Sequence, residues 1–193
     1  MAGWGAAEKQ NKERQSRSAA TPVTFAGTIG LFTSAATPSR GSAVLFLSPW
    51  GFEEMCVRKF WRILAEDLAH IGVASLRFDY AGTGDALDLA DDGEGLKPWQ
   101  DTALAAAAKL KALSGCDRLI LVSQGLGGTI AATLVEYIAG VDGIAFLAPV
   151  ISGRAYLREL TVWSKMIDEG MGLAEAQRQT DGVTVASLRM PDS

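Results

Sequence analysis

Histidine is almost missing from this 193-residue sequence: His70 is the only one. That excludes a zinc site built on several histidines and leaves one imidazole for every role that needs one. Cysteine is nearly as scarce. Cys56 and Cys116 cannot build a disulfide framework, and they fit a reducing compartment as buried or inert thiols. Positive charge is not in excess, since 18 Lys and Arg face 22 Asp and Glu, for a formal charge of −4. The basic footprint of a nucleic-acid binder is absent, so no nucleic-acid partner is expected. Residues 1–20 carry Lys9, Lys12, Arg14 and Arg17 but no apolar signal-peptide core. Secretion is therefore not supported, and a cytoplasmic location is expected. Nor is there a clean membrane span. The uncharged run Leu119 to Val135 is interrupted by Ser123, Gln124, Gly125, Gly127 and Gly128, which suits a strand, a glycine turn and a helix. No internal repeat occurs, and no Gly-Lys-Ser/Thr, which excludes a Walker loop.

What is present is globular. Hydrophobic residues make up 48% and charged residues 21%, and the length suits one domain with one core. Residues 1–20 are polar and aperiodic, as in a disordered tail. Residues 22–34 read as a hairpin about Gly27, and Ala43 to Leu47 as a strand buried on both faces. After a loop at 49–54, a helix is expected over 56–70, with Phe60, Ile63, Leu64 and Leu68 as its apolar face. A strand over 73–78, a Gly/Asp-rich loop over 81–96 and a helix over 98–113 follow. Leu119 to Val122 make a strand, 129–139 a helix and Ile144 to Leu147 a strand. Residues 154–169 form an amphipathic helix with Tyr156, Leu160, Trp163 and Ile167 on one face, and 183–190 is weakly strand-like. This order implies a mixed or parallel sheet with helices on both faces. Ligands then sit beyond the carboxyl ends of the strands, near residues 48–54, 79–86, 123–128 and 148–153.

The segment Leu121-Val122-Ser123-Gln124-Gly125-Leu126-Gly127-Gly128 carries the most information. A strand that turns sharply into a helix needs small residues two before, two after and three after the apex. With the apex at Gly125 those positions are Ser123, Gly127 and Gly128, all small. With the apex at Ser123, Leu121 falls on a crowded position and the register fits worse. The elbow is then present without a nucleophile, because glycine tolerates the backbone but has nothing to attack with. A dinucleotide turn fits less well. Gly125 and Gly127 match, but Ile130 stands at the third glycine position and no acid ends the next strand. No cofactor is expected.

With these features the chain resembles an α/β-hydrolase. The apolar third strand, the loop Ser48-Pro49-Trp50-Gly51, the stretch Phe78-Asp79-Tyr80-Ala81-Gly82-Thr83-Gly84-Asp85 and Ala148-Pro149-Val150 accompany the elbow. It is similar more narrowly to the exosortase-associated hydrolase branch, through Pro49–Glu54, Arg77–Asp85 and Ser152–Leu160. The resemblance implies an α/β-hydrolase-like sheet with flanking helices. It also implies a division into the tail, a core over 21–150 and a lid-like helical segment with the chain end over 151–193. Six strands are counted where the superfamily has about eight, so the C-terminal strands, with the catalytic acid and histidine, are expected to be missing. Ile144–Leu147 would then be an apolar edge open to self-association or a partner. By analogy, the backbone N–H groups of Trp50 and Leu126 form an oxyanion hole that can hold a small acyl ligand without a nucleophile. Glu53 and Glu54 read as acids set just before a helix, where they favour its dipole. Asp79 and Asp85 read as turn-bonding residues, and His70 as a helix-end residue. The expected function is a non-catalytic or truncated hydrolase-fold protein. The alternative is an acyl hydrolase or transferase, acting on an ester, thioester or amide, completed by a longer chain or a partner.

Overall fold

The computed structural model describes residues 20–89, 95–170, 172, 184–185 and 188–189. Most of the expected tail over 1–20, part of the 81–96 loop and most of the stretch beyond 170 lie outside the described residues. Two strands, β1 (Thr21–Phe25) and β2 (Thr28–Thr33), form the opening hairpin. Its turn, Ala26-Gly27, has φ of 43° and 74°, the left-handed pair that suits a two-residue hairpin. Pro22 is tolerated because β1 is an edge strand and needs no second ladder.

Three more strands, β3 (Ser42–Leu47), β4 (Ala74–Phe78) and β5 (Arg118–Gln124), build the centre, and β6 (Val141–Leu147) follows. The order across the sheet is β1-β2-β4-β3-β5-β6. β2 runs antiparallel to β4, whereas β4, β3, β5 and β6 are parallel. The apolar run in β3 serves both faces. Ala43, Leu45 and Leu47 point to one core, and Val44 and Phe46 to the other.

Helix α1 (Phe52–His70) covers the Val44/Phe46 face through Trp61 and Ala65. The opposite face is covered by α2 (Lys97–Ser114), α3 (Leu126–Leu134) and part of α4 (Gly153–Gly170). In α2, Ala103, Ala106 and Ala107 are buried, and these small side chains let the helix lie close on the sheet.

The structure corrects several boundaries and faces. α1 starts at Phe52, not at 56, because Gly51 turns the chain with φ 70° and ψ −134°. Glu53 and Glu54 therefore lie inside its first turn rather than before it. Phe60 is about half exposed, and its neighbour Trp61 takes the buried place against Phe46, ring centroids 5.0 Å apart. α3 begins directly after the elbow at Leu126 and ends at Leu134, shorter than the expected 129–139. The chain then continues in turns, with the Tyr137 and Ile138 N–H groups both donating to the Leu134 carbonyl. β6 starts three residues earlier than expected, with a register shift at Leu119/Ile120. In place of a single short strand over 183–190, β7 (Thr184–Val185) pairs antiparallel with β8 (Leu188–Arg189).

The loops at the carboxyl ends of the strands are tied to one another through aromatics. Tyr80 stacks on Trp99 at 5.4 Å, its hydroxyl donates to the Ser48 carbonyl at 3.2 Å, and Trp99 Nε1 donates to the Ala81 carbonyl at 2.9 Å. Among the described strands β6 lies at the edge of the six-stranded sheet, and its Phe146 is half exposed.

Candidate functional site

Strand β5 enters the turn and α3 leaves it through one residue. Gly125 has φ 53° and ψ −124°, a backbone that side chains rarely adopt. The turn is pinned from both sides. Gly125 N–H donates to the Leu147 carbonyl at 3.2 Å, and its carbonyl accepts from the Gly128 and Val150 N–H groups at 3.1 Å each. The crowding around it is severe. A Cβ on Gly127 would stand 2.1 Å from the Leu47 carbonyl oxygen, and one on Gly128 2.8 Å from Pro149 Cβ. Ser123 is fully buried and its hydroxyl donates to the Ala145 carbonyl at 3.0 Å.

The apex has two close neighbours. A Cβ on Gly125 would lie 2.7 Å from Glu53 Oε2 and 3.0 Å from Pro49 Cβ. The carboxylate from the first turn of α1 thus stands where an elbow side chain would project. Around it opens a cleft of about 690 Å³, with Trp50, Gly125 and Pro149 at its base and Phe52, Tyr156 and Trp163 on its walls. Trp50 is buried, while Phe52 and Trp163 are about half exposed and form a rim. Among the described residues, the lining holds two carboxyls, Glu53 and Glu159, and no lysine, arginine or histidine. Burial raises the Glu53 carboxyl above its usual range, and the nearby Glu159 charge adds to the effect. The Tyr156 phenol is also pushed up, by burial first and by the same two carboxylates next.

Of the residues singled out from the sequence, Trp50, Glu53, Cys56 and Gly125 line the cleft. Leu126 opens α3 with its side chain buried, and its N–H is among the first-turn donors that a helix leaves without an intrahelical partner. His70 is exposed at the last position of α1, about 25 Å along the axis from Glu53 at 1.5 Å per residue. Cys56 is exposed on the cleft wall. Asp79 and Asp85 stay outside the cleft lining, where Asp79 Oδ2 accepts the Asp85 N–H at 3.0 Å. Among the described residues, no group of three or more His, Cys, Asp or Glu is placed to hold a metal ion, and no helix is long and apolar enough to cross a membrane. Glu53 was read from the sequence only as an acid favouring the helix dipole, and its place beside the elbow was not foreseen. Its pattern says only that an acid sits near a helix start, and its proximity to the elbow depends on where Gly51 aims that helix.

Neither a protein-family model nor a curated protein matches the chain. Solved structures do. A lidless α/β serine hydrolase from Xanthomonas campestris aligns at TM-score 0.56 and 17% identity, over 68% of this chain and 62% of its own. An esterase from Pyrococcus furiosus aligns at TM-score 0.59 and 16% identity, over 86% and 59%. A serine hydrolase homologue from Coxiella burnetii aligns at TM-score 0.55 and 17% identity, over 71% and 65%. The chain has the α/β-hydrolase fold. It spans about three fifths of the length of the structures it matches. At these identities the likeness concerns the fold and not the chemistry.

Two outcomes follow from this geometry. Gly127→Ala drives a methyl into the Leu47 carbonyl and costs about 3 kcal/mol or more, to be read from urea unfolding, whereas Gly143→Ala, with open space at its Cβ, costs far less. The folded-state pKa of Glu53 is raised, so its ionisation lowers stability as pH rises from the ordinary carboxylate range through the raised one. Glu53→Gln should therefore raise the melting temperature near neutral pH, by a degree or two because the group is partly in water. The gain should vanish in acid, where the carboxyl is protonated in both states.

Proposed function

We propose that this chain is the ligand-binding part of a hydrolase-fold protein whose elbow forms no covalent acyl intermediate. The observation that carries the reading is Gly125. It holds the backbone of a nucleophile elbow without a side chain, and the flexible end of Glu53 lies beside the place such a side chain would take. Covalent acyl catalysis needs a nucleophile and a base within hydrogen-bond reach of it. The one histidine of the chain lies at the other end of α1. What remains is a largely apolar cleft with backbone donors at its base. In this reading the Trp50 and Leu126 N–H groups donate to a carbonyl oxygen of a small acyl ligand, and the aromatic rim covers its apolar part. Membership of the exosortase-associated hydrolase branch is part of the same proposal and rests on the stretches Arg77–Asp85 and Ser152–Leu160.

A second reading is favoured by one observation, the share of its neighbours that the chain spans. Structures described as serine hydrolases and an esterase extend well beyond the matched part. In this reading, further chain or a partner supplies an acid and a base, and the assembly turns over an ester, thioester or amide.

A fluorophosphonate probe separates the two. The first reading expects no labelling of the purified chain, and covalent labelling at any serine lining the cleft would sink it. Gly125→Ser, checked for native circular dichroism, should leave p-nitrophenyl acetate hydrolysis at background, because the new hydroxyl meets a carboxylate and no imidazole. Turnover by that variant would show that the base is already in place.

A further inference from the structure

The elbow cleft carries a charge pattern that an ordinary acyl pocket does not need. Its lining is mostly apolar, with rings from Trp50, Phe52, Tyr156 and Trp163, yet it includes Glu53 of α1 and Glu159 of α4. Two helices remote in sequence thus bring a carboxylate each to one space of about 690 Å³. Burying acids in an apolar wall is costly unless something of opposite charge joins them.

Among the described residues, nothing of opposite charge does. The charge that acts on Glu53 is Glu159, and the charges that act on the Tyr156 phenol are the same two acids. Arg58 of the same helix is engaged on the opposite flank, where it pairs with Glu54 and Asp79 and feels Asp85 as well. Arg154, Arg158 and Lys165 of α4 are exposed and stand outside the lining. The N-terminus of α1 favours a negative charge in its first turn. Even so, among the described residues Glu53 has no hydrogen-bond or ion-pair partner. The aromatic walls point the same way, because ring faces attract cations.

Geometry limits where a positive group can sit. Glu53 Oε2 lies 2.7 Å from the place of a Cβ on Gly125. A ligand carbonyl held by the Trp50 and Leu126 N–H groups lies beside that same residue. Glu53 therefore meets the atoms next to the carbonyl before those at the far end of the ligand. We propose that the cleft takes an acyl ligand with a protonated amine one or two carbons from its carbonyl and an apolar remainder, as in an α-amino-acid ester or amide. The inference rests on the acyl-ligand reading of this cleft and adds the ligand's charge to it. The ammonium pairs with Glu53 in the field of Glu159, and the apolar remainder lies against Phe52 and Trp163. The same two carboxylates repel an acyl ligand that carries a carboxylate or a phosphate.

The test is a calorimetric titration of the full chain near neutral pH and at low, fixed ionic strength, with two probes that differ in one group. L-Leucinamide carries the ammonium, and 4-methylpentanamide has a hydrogen in its place. Leucinamide should bind at least tenfold more tightly, and added salt should shrink the advantage. Glu53→Gln should cut that advantage to less than threefold, and Glu159→Gln should reduce it by a smaller factor. Both variants should bind 4-methylpentanamide as the parent does, a readout that a loss of structure would not leave intact. Equal binding of the two probes, or tighter binding of the neutral one, overturns the proposal and leaves the acyl-ligand reading standing. A preference for leucinamide that survives both substitutions also overturns it, since the charge preference then arises elsewhere. If neither probe binds saturably, the proposal and the acyl-ligand reading fall together.

Discussion

The close approach of α3 to the end of β3 is the constraint on which the rest of the structure depends. Gly127 lies so near the Leu47 carbonyl that no side chain fits between them. This contact forces the chain to turn within one residue at Gly125 and brings the start of α3 beside the loop that follows β3. The same loop, through Gly51, launches α1. One packing contact thus places the elbow, the backbone donors near it and the N-terminus of α1 around a common space. Without it the cleft would have no base.

α1 then acts as the partition of the molecule. Its buried stripe, Trp61, Ala65 and Ala69, recurs at helical spacing and anchors it to the sheet. The flanks diverge. Glu53, Cys56 and Val57 turn to the elbow, whereas Arg58, Lys59 and Arg62 turn to β2 and β4. The i,i+4 pairs Glu54–Arg58 and Glu66–Arg62 lie along the basic flank and hold it in place. A near-neutral helix therefore separates an acidic cleft from a charge-balanced one, where Glu54, Glu66, Asp79 and Asp85 offset the cations.

Much of this was legible in the sequence. The three small residues Ser123, Gly127 and Gly128 placed the apex at Gly125, because each answers a steric need of the turn that few other residues meet. The central strands were legible as continuous apolar runs, and α2 from Pro98 and its alanines. Boundaries set by tertiary contact were not. The start of α1 at Phe52 depends on the conformation of Gly51, and the early start of β6 depends on pairing with β5. Phe60 and Trp61 illustrate the limit of periodicity. Both are apolar and adjacent, and only the position of Phe46 decides which ring goes inside.

The two clefts differ most in what sequence alone can say of them. The elbow is built from backbone shape, which glycine spacing encodes locally, so it can be read from eight consecutive residues. Glu53 and the basic cluster are built from side chains on separate elements, which meet only after the sheet has formed. Arg77 reads as an inward-facing position of a strand, where an apolar residue would pack more cheaply. The Glu66 carboxylate on α1 opposes the cost of burying that charge beside Arg58 and Arg62. The partner of Arg77 thus comes from a helix remote in sequence, and that pairing, unlike the elbow, is set by the packing of α1 on the sheet and not by local spacing.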